Sequence, residues 1–379
     1  MIYKEFQDIE LSALGFGAMR LPTTAGDPNG SIDEKQTAEM VAYAIEHGIN
    51  YFDTAYGYHD GQSEVVMGKV LSQYPRESYY LADKFPGYDL SNMDKVEAIF
   101  EEQLAKCGVD YFDFYLLHNI YEKNVDPYMD EKYGIMDYLL AQKKAGRIRH
   151  LGFSAHGRYD TMEKFLKVYG KEMEFCQIQL NYLDWKLQDA KAKVELLDQY
   201  QIPVWVMEPL RGGALTKLSD ENAAKLAALR PEESVPAWAF RFLQSVGSVK
   251  MVLSGMSNLE QMKENVKSFE AEKPLTEQEM TALTEVADSM LDILPCTACR
   301  YCTAHCPQQL DIPVLLSLYN ETRFANGLIT HMAVDALPEE RRPNACIGCK
   351  SCEAVCPQQL AIADAMGDFV EKLNQPAGL

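Results

Sequence analysis

The fold is decided first by the stretch Asn50-Tyr51-Phe52-Asp53-Thr54-Ala55-Tyr56-Gly57-Tyr58-His59. It predicts a short apolar strand that ends at Phe52, with the carboxylate of Asp53 at its exit. The phenol of Tyr58 follows in a glycine-containing loop. An acid and a phenol at the carboxyl end of a strand can begin a proton-transfer site, although Asp and Tyr in loops are more often surface residues. The rest of the chain must therefore supply partners for them.

Two further predicted strands downstream also end in ionisable residues. Tyr79–Ala82 leads to Lys84, and Tyr111–Leu117 leads to His118. Strand-like and helix-like runs alternate over about the first 270 residues, giving eight strand–helix units without a long antiparallel run. Continuous apolar strands are typical of parallel sheet buried on both faces. The pattern predicts an α/β fold, a (β/α)8 TIM barrel, and the incomplete glycine motif at residues 15–17 speaks against a dinucleotide-binding doubly wound sheet.

A barrel of this kind carries its chemistry at the carboxyl ends of its strands. That rim would hold Asp53 with Tyr58, then Lys84, then His118. A carbonyl that accepts hydride needs a proton, and the Lys84 ammonium is expected to lower the pKa of Tyr58 from its usual value of about 10. Asp53 would orient Lys84, and His118 would donate a hydrogen bond to the substrate oxygen. The alternatives are a structural ion pair between Asp53 and Lys84 and a capped loop histidine at position 118.

Composition narrows the class of protein. The chain has 379 residues, 47% of them hydrophobic and 24% charged, as in ordinary globular proteins. Its net charge of -20 argues against a nucleic-acid partner, which would want a basic face. We see neither a secretory signal nor an apolar run long enough for a membrane span, and we therefore expect a cytoplasmic protein.

The first 270 residues resemble the aldo-keto reductase family. The motif from Asp53 to Tyr58, followed by Ser63-Glu64, is similar to the family's first signature. Lys84 and His118 match the remaining positions of its catalytic tetrad, and Gly146-Arg147-Ile148-Arg149 also follows its pattern. The resemblance implies a carbonyl–alcohol oxidoreductase that acts on a small substrate with NAD(P)H. It also implies a set of cofactor-binding residues, namely Ser154, Gln177, Pro209, Leu210, Gly212, Ser254, Glu264 and Asn265.

The chain departs from the family pattern in three places of that cofactor site. After Ser154 many members carry an Asn, whereas this chain has Ala155-His156. Met207 stands where an aromatic residue commonly stacks on the nicotinamide. Gly255 and Gln261 stand where NADPH-preferring members carry basic residues, so a 2′-phosphate lacks a charged partner. NADH is therefore favoured over NADPH.

Eight of the ten cysteines form a repeat near the carboxyl end of the chain. Cys296-x2-Cys299-x2-Cys302-x3-Cys306-Pro307 recurs as Cys346-x2-Cys349-x2-Cys352-x3-Cys356-Pro357. This is the spacing of bacterial ferredoxins with two [4Fe-4S] clusters, in which the fourth cysteine of each run binds the other cluster. One cluster would use Cys296, Cys299, Cys302 and Cys356, and the other Cys346, Cys349, Cys352 and Cys306. Zinc is the alternative, because it also binds Cys-x2-Cys pairs.

These observations predict three segments and leave three functions open. Residues 1–274 would form the barrel, 275–294 a linking helix, and 295–379 a mostly helical ferredoxin-like domain. The first function is a nicotinamide-dependent carbonyl reductase that carries the clusters as an accessory. In the second, the clusters supply or remove the electrons in place of a nicotinamide, with a redox protein as partner. The third is a redox sensor on a non-catalytic barrel.

Overall fold

The computed structural model describes residues 1–26 and 30–378. It confirms the predicted barrel, because eight parallel strands close on themselves in the order β10-β3-β4-β5-β6-β7-β8-β9. An antiparallel hairpin of β1 and β2 precedes them. The strands are β1 (Tyr3–Phe6), β2 (Ile9–Ser12), β3 (Leu14–Gly17), β4 (Tyr51–Asp53), β5 (Tyr80–Phe85), β6 (Phe112–Ile120), β7 (Ile148–Ala155), β8 (Cys176–Gln179), β9 (Val204–Met207) and β10 (Val249–Gly255).

Helices follow the barrel strands and continue to the carboxyl end of the chain. They are α1 (Glu34–Glu46), α2 (Gln62–Leu71), α3 (Val96–Cys107), α4 (Val125–Met129), α5 (Ile135–Lys144), α6 (Tyr159–Tyr169), α7 (Asp184–Leu187), α8 (Ala190–Gln199), α9 (Asp220–Leu229), α10 (Val235–Gln244), α11 (Leu259–Ser268), α12 (Glu277–Met290), α13 (Tyr301–Ala304), α14 (Ile312–Phe324), α15 (Leu328–Asp335) and α16 (Ile362–Leu373). Among the residues that the structure describes, no helix is both long and apolar enough to cross a membrane.

Aromatic side chains fill the barrel interior next to the amino-terminal hairpin. The ring of Phe6, at the end of β1, lies 5.0 Å from that of Trp205 and 5.7 Å from that of Phe114, measured between centroids. All three side chains are buried, together with Phe175 and Tyr51. The hairpin thus adds an aromatic residue to the barrel core, and the opposite rim carries the carboxyl ends of the strands.

The chain divides into two compact units. The first comprises residues 1–184 and 189–282, and the second comprises 185–188 and 283–379. The second unit has its own hydrophobic core, to which α14 contributes Leu315 and Leu316 and α16 contributes Met366 and Phe369. The boundaries that we predict at 274 and 294 stay a prediction.

Candidate active site and cysteine cavities

Lys84 is the centre of the site at the carboxyl ends of the strands. Its ammonium donates hydrogen bonds to Oδ1 of Asp53 at 2.5 Å and to the carbonyl of Thr54 at 2.7 Å. The hydroxyl of Tyr58 lies 3.5 Å from the same Nζ. Asp53 ends β4 and Lys84 lies near the end of β5, and these strands pair in parallel, so the register of the sheet brings the acid and the amine together.

The loop that carries Tyr58 is fixed by local hydrogen bonds. The amide of Tyr58 donates to the carbonyl of Ala55 at 3.1 Å, and the amide of Ser63 donates to the carbonyl of Tyr58 at 3.2 Å. The chain then reverses through His59, Asp60 and Gly61, all with φ between 50° and 79°. Nε2 of His59 accepts the amide of Leu21 at 3.1 Å, which connects the loop to the end of the 3-10 turn that follows β3. A phenol held in this way has a defined position relative to Lys84.

Burial and the neighbouring charges set the protonation of Lys84 and Tyr58. Burial alone would lower the pKa of Lys84, but the carboxylate of Asp53 raises it, and the net pKa lies above the usual value. Burial raises the pKa of Tyr58 to about 12, while Lys84 pulls in the opposite direction. The lowered pKa that the sequence predicts for Tyr58 is therefore wrong in its net direction, because desolvation of the phenolate outweighs the nearby ammonium.

His118 lies beside the phenol and is uncharged. Its ring is 6.1 Å from that of Tyr58 and 5.1 Å from that of Tyr88, both in edge-on geometry. Burial lowers the pKa of His118 well below the usual value, and the charge of Lys84 lowers it further. Its Nδ1 makes no hydrogen bond within residues 1–26 and 30–378. A neutral imidazole can donate one hydrogen bond to a substrate oxygen without carrying charge into the site.

The predicted nicotinamide-binding residues lie on the next strands of the barrel. Ser154 of β7 is paired in register with Gln177 of β8, and its Oγ accepts the amide of Asn119 at 2.7 Å. The buried atoms Oε1 of Gln177, Oδ1 of Asn119 and Nδ1 of His156 have no hydrogen-bond partner in the described part of the chain. Unpaired buried polar atoms are costly, so this part of the rim has the chemistry of a site for a polar ligand group.

The remaining predicted cofactor-binding residues lie after β9, in β10 and in α11. Pro209, Leu210 and Gly212 follow β9, where Gly212 has a φ of 62°. Ser254 lies in β10 and its Oγ accepts Nδ2 of Asn265 at 3.0 Å, which connects the strand to α11. Glu264 lies on the exposed side of α11, one residue before Asn265.

The cysteines of the second unit converge on two cavities. One cavity is lined by thiols of both runs, namely Cys306, Cys346, Cys349 and Cys352. The other is lined by the remaining four, namely Cys296, Cys299, Cys302 and Cys356. In each case three thiols come from one run and the fourth from the other. This is the grouping that the ferredoxin spacing predicts.

The backbone repeats along with the sequence. Ala298 and Gly348, which precede equivalent cysteines, have φ of 53° and 67°, and Arg300 and Lys350 behind those cysteines have φ of 64° and 57°. Among the described residues, no group of three or more His, Cys, Asp or Glu is arranged to hold a single metal ion. The two cysteine runs thus present equivalent cysteines on the same backbone conformation.

Comparisons with known proteins agree with both units. The Aldo/keto reductase family profile matches residues 13–288. This chain belongs to the aldo/keto reductase family. The profile of the 4Fe-4S dicluster domain matches residues 295–361. The protein is therefore an oxidoreductase that combines an aldo/keto reductase barrel with an iron–sulfur domain.

Two distant relatives within the family align with this chain over nearly their whole length. The chain is 26% identical to the uncharacterized oxidoreductase YqkF of Bacillus subtilis over 309 residues, which cover 73% of this chain and 92% of that one. It is also 26% identical to the NADH-specific methylglyoxal reductase of Escherichia coli over 328 residues, covering 75% and 97%. The holo form of an aldo-keto reductase from Bacillus halodurans superposes with a TM-score of 0.60 at 25% identity, covering 76% of this chain and 96% of that structure.

Some groups at this aldo/keto reductase site are difficult to predict from the sequence. The carbonyl of Thr54 binds Lys84, but a main-chain acceptor leaves no signal in the sequence. Asn119 turns the chain at the end of β6 with a φ of 56°, and the His-Asn pair at residues 118–119 is a weak signal for it. Arg20 contacts the loop after β10 although the whole barrel separates the two in sequence.

Proposed function

We propose that the barrel reduces a small aldehyde or ketone to the alcohol, with Tyr58 as the proton donor. The observation that carries this proposal is the position of Lys84, whose ammonium is 2.5 Å from Oδ1 of Asp53 and 3.5 Å from the hydroxyl of Tyr58. Asp53 contacts Lys84, Lys84 lies beside Tyr58, and the neutral His118 lies next to Tyr58. Together these groups supply the hydrogen bonds and the proton that a carbonyl oxygen needs as it gains negative charge.

Each group of this set has a separate task. Tyr58 transfers its proton to the carbonyl oxygen, and Lys84 stabilises the negative charge that develops on the phenol. Asp53 holds Lys84 in place and keeps it charged. His118 orients the same oxygen by a hydrogen bond. Bound NADH would supply the hydride, so that carbonyl, NADH and one proton give alcohol and NAD⁺.

The polar atoms around Gln177 support a nicotinamide at this rim. Its buried Oε1 has no partner in the described ranges and could accept the amide N–H of the nicotinamide, with Ser154 in the neighbouring strand. NADH is favoured because Gly255 and Gln261 carry no charge. The Escherichia coli relative that is named an NADH-specific methylglyoxal reductase supports the same choice and suggests methylglyoxal as a first substrate.

We further propose that the iron–sulfur domain holds two [4Fe-4S] clusters, each bound by three cysteines of one run and one of the other. The two four-thiol cavities support this assignment. The predicted boundaries of the barrel, linking helix and iron–sulfur domain belong to the same proposal. The clusters would supply one-electron chemistry in the same chain as a hydride reaction that moves two electrons together.

The test is anaerobic assay of the reconstituted protein with NADH and a panel of small carbonyls that includes methylglyoxal. Tyr58→Phe removes only the hydroxyl, so carbonyl reduction should fall about 10²–10⁴-fold, the usual contribution of a general acid, while the iron content stays the same. Tyr56→Phe is the matched control, because the Tyr56 hydroxyl donates to Glu102 on α3 instead. Tyr58→Phe protein that reduces carbonyls at the wild-type rate would refute the proton-donor role.

A second candidate function is favoured by the exposure of one thiol at each cavity. Cys299 and Cys349 are exposed, so a redox protein could approach both clusters directly. In that case the clusters would deliver the electrons and the nicotinamide would be dispensable. Carbonyl reduction that proceeds with a reduced ferredoxin or viologen but not with NADH would select this function over the first.

A further inference from the structure

Arg20 and Glu208 face each other across the rim of the barrel. Arg20 lies in the turn after β3, and Glu208 directly follows β9. The guanidinium approaches the carboxylate to 4.0 Å, and both side chains are about one-third exposed, at 35% and 28%. An ion pair at this distance and exposure contributes little to stability, so the two charges are free to exchange partners.

Arg20 is fixed against the loop that follows β10. Its Cβ, Cγ and Cδ lie so close to Gly255 that a Cβ at that glycine would be 3.2 Å from each of them. The hydroxyl of Ser257 donates to the carbonyl of Arg20 at 3.0 Å. Arg20 therefore lies with its stem on Gly255 and directs its guanidinium toward Glu208.

The carboxylate of Glu208 also accepts a hydrogen bond from the main chain, which is a second kind of donor for an anion. While one oxygen of its carboxylate faces Arg20, the other accepts the main-chain N–H of Gly212. The chain has positive φ at Glu208, Arg211, Gly212 and Gly213, between 46° and 93°. Main-chain N–H groups in turns of this kind, together with a guanidinium, are the donors that phosphate oxygens use.

The backbone around Glu208 is held by contacts that do not involve its carboxylate. Nδ2 of Asn181 donates to the main-chain carbonyl of Glu208 at 3.0 Å, and the guanidinium of Arg211 pairs with the buried carboxylate of Asp184. The backbone of the loop is thus held from the side of β8. The side chain of Glu208 can rotate away without loss of these contacts.

We propose that Glu208 takes the place of a phosphate group in the free protein and that a dinucleotide's diphosphate displaces it. Arg20 and the N–H of Gly212 then bind the diphosphate oxygens. This inference rests on the proposed use of a nicotinamide dinucleotide. The diphosphate must displace the carboxylate of Glu208 and is repelled by its charge, so Glu208 weakens nucleotide binding. Nucleotide binding then depends on the guanidinium of Arg20.

The test compares charge-removing variants by calorimetry with NADH, NADPH and ADP. Glu208→Gln keeps an acceptor for the N–H of Gly212 but loses the charge, so the Kd for NADH and for ADP should fall about tenfold. Arg20→Gln should raise both by about tenfold. The matched control is Glu101→Gln, which removes the same charge from a surface Arg–Glu pair with Arg147, directly before β7. It should leave every Kd unchanged.

ADP separates this inference from the proposed function, since it carries a diphosphate but no nicotinamide. If no protein binds NADH but Glu208→Gln binds ADP more tightly than the wild type, the nicotinamide assignment falls and the diphosphate site stands. If Glu208→Gln binds neither NADH nor ADP more tightly, the inference is overturned whether or not the wild type binds NADH. A response confined to NADPH would overturn it in favour of a site for the 2′-phosphate.

Discussion

The raised pKa of Tyr58 decides how the proposed reaction depends on pH. Burial raises the pKa of the phenol to about 12, and Lys84 offsets only part of that effect. Burial and the charge of Lys84 also lower the pKa of His118 well below its usual value, so the imidazole is neutral at pH 7. Between these two pKa values neither Tyr58 nor His118 changes its charge.

Carbonyl reduction should therefore be nearly independent of pH between about pH 6 and pH 10. Alcohol oxidation needs the phenolate, whose fraction rises about tenfold per pH unit below the pKa of Tyr58, so this direction should accelerate as the pH rises. The measurement is kcat/KM in both directions over that range, with the ionic strength held constant. A reduction rate that falls with an apparent pKa near 7 would point to His118 as the acid and contradict the assignment to Tyr58.

At the scale of single residues, the sequence predicts the position of some site residues but not the pKa of Tyr58 or the place of Arg20. Asp53, Lys84 and His118 could be predicted because each lies within two residues of the end of an apolar run. The direction of the pKa shift of Tyr58 could not be predicted. The strand pattern identifies Lys84, which lowers this pKa, but it does not identify the burial that raises it, because burial depends on all the segments around the mouth of the barrel. The sequence does not indicate Arg20 as a cation near Gly255, because the two residues come together only when the barrel closes by pairing β10 with β3.

At the scale of elements, strands were easier to predict than the helices inserted after them. The buried strand β6 is mostly apolar from Phe112 to Leu117, with Asp113 as the exception, whereas α9 buries only Leu226 and has little periodic signal. The sequence pattern predicts a helix from Lys132 to Lys144, but the helix begins at Ile135. Gly134, with a φ of 60°, separates it from a 3-10 turn over Glu131–Tyr133. The two cysteine runs can be recognised in the sequence, because the spacing of residues along the chain is a local property.

The proposed exchange of the fourth cysteine between runs predicts which double variants lose both clusters. Cys306 and Cys349 line one cavity, whereas Cys302 lines the other. Cys306→Ser combined with Cys349→Ser should lose no more iron than either single variant, about four of about eight atoms. Cys302→Ser combined with Cys349→Ser should lose nearly all of it.

Iron analysis and visible absorption of the anaerobically purified proteins measure this difference. Cys107→Ser serves as the control, because Cys107 is buried in the barrel at the end of α3 and lines neither cavity. Loss of all iron from the Cys306–Cys349 double variant would mean that each run binds its own cluster. The proposed exchange between the runs would then be wrong.

At the scale of the whole molecule, the two units have separate cores with different dependence on metal. The barrel core is formed by apolar side chains such as Phe114 and Trp205. The core of the second unit includes Cys302 and Cys352 and packs against the other cluster cysteines. Four thiols around each cavity repel one another as thiolates unless iron is bound, so metal binding and folding should be coupled in this unit alone.

Removal of iron should consequently destabilise the second unit and leave the barrel nearly unchanged. Two of the three tryptophans, Trp205 and Trp238, are buried in the first unit, so their fluorescence reports mainly on the barrel. Thermal unfolding of chelated protein should show an early loss of helical circular dichroism, followed by a fluorescence transition within a few degrees of that of the iron-loaded protein. The iron-loaded protein should lose its visible absorption at a higher temperature than that early transition. A fluorescence transition that shifts downward as far as the circular dichroism would contradict the independence of the two cores, because iron would then stabilise the barrel as well.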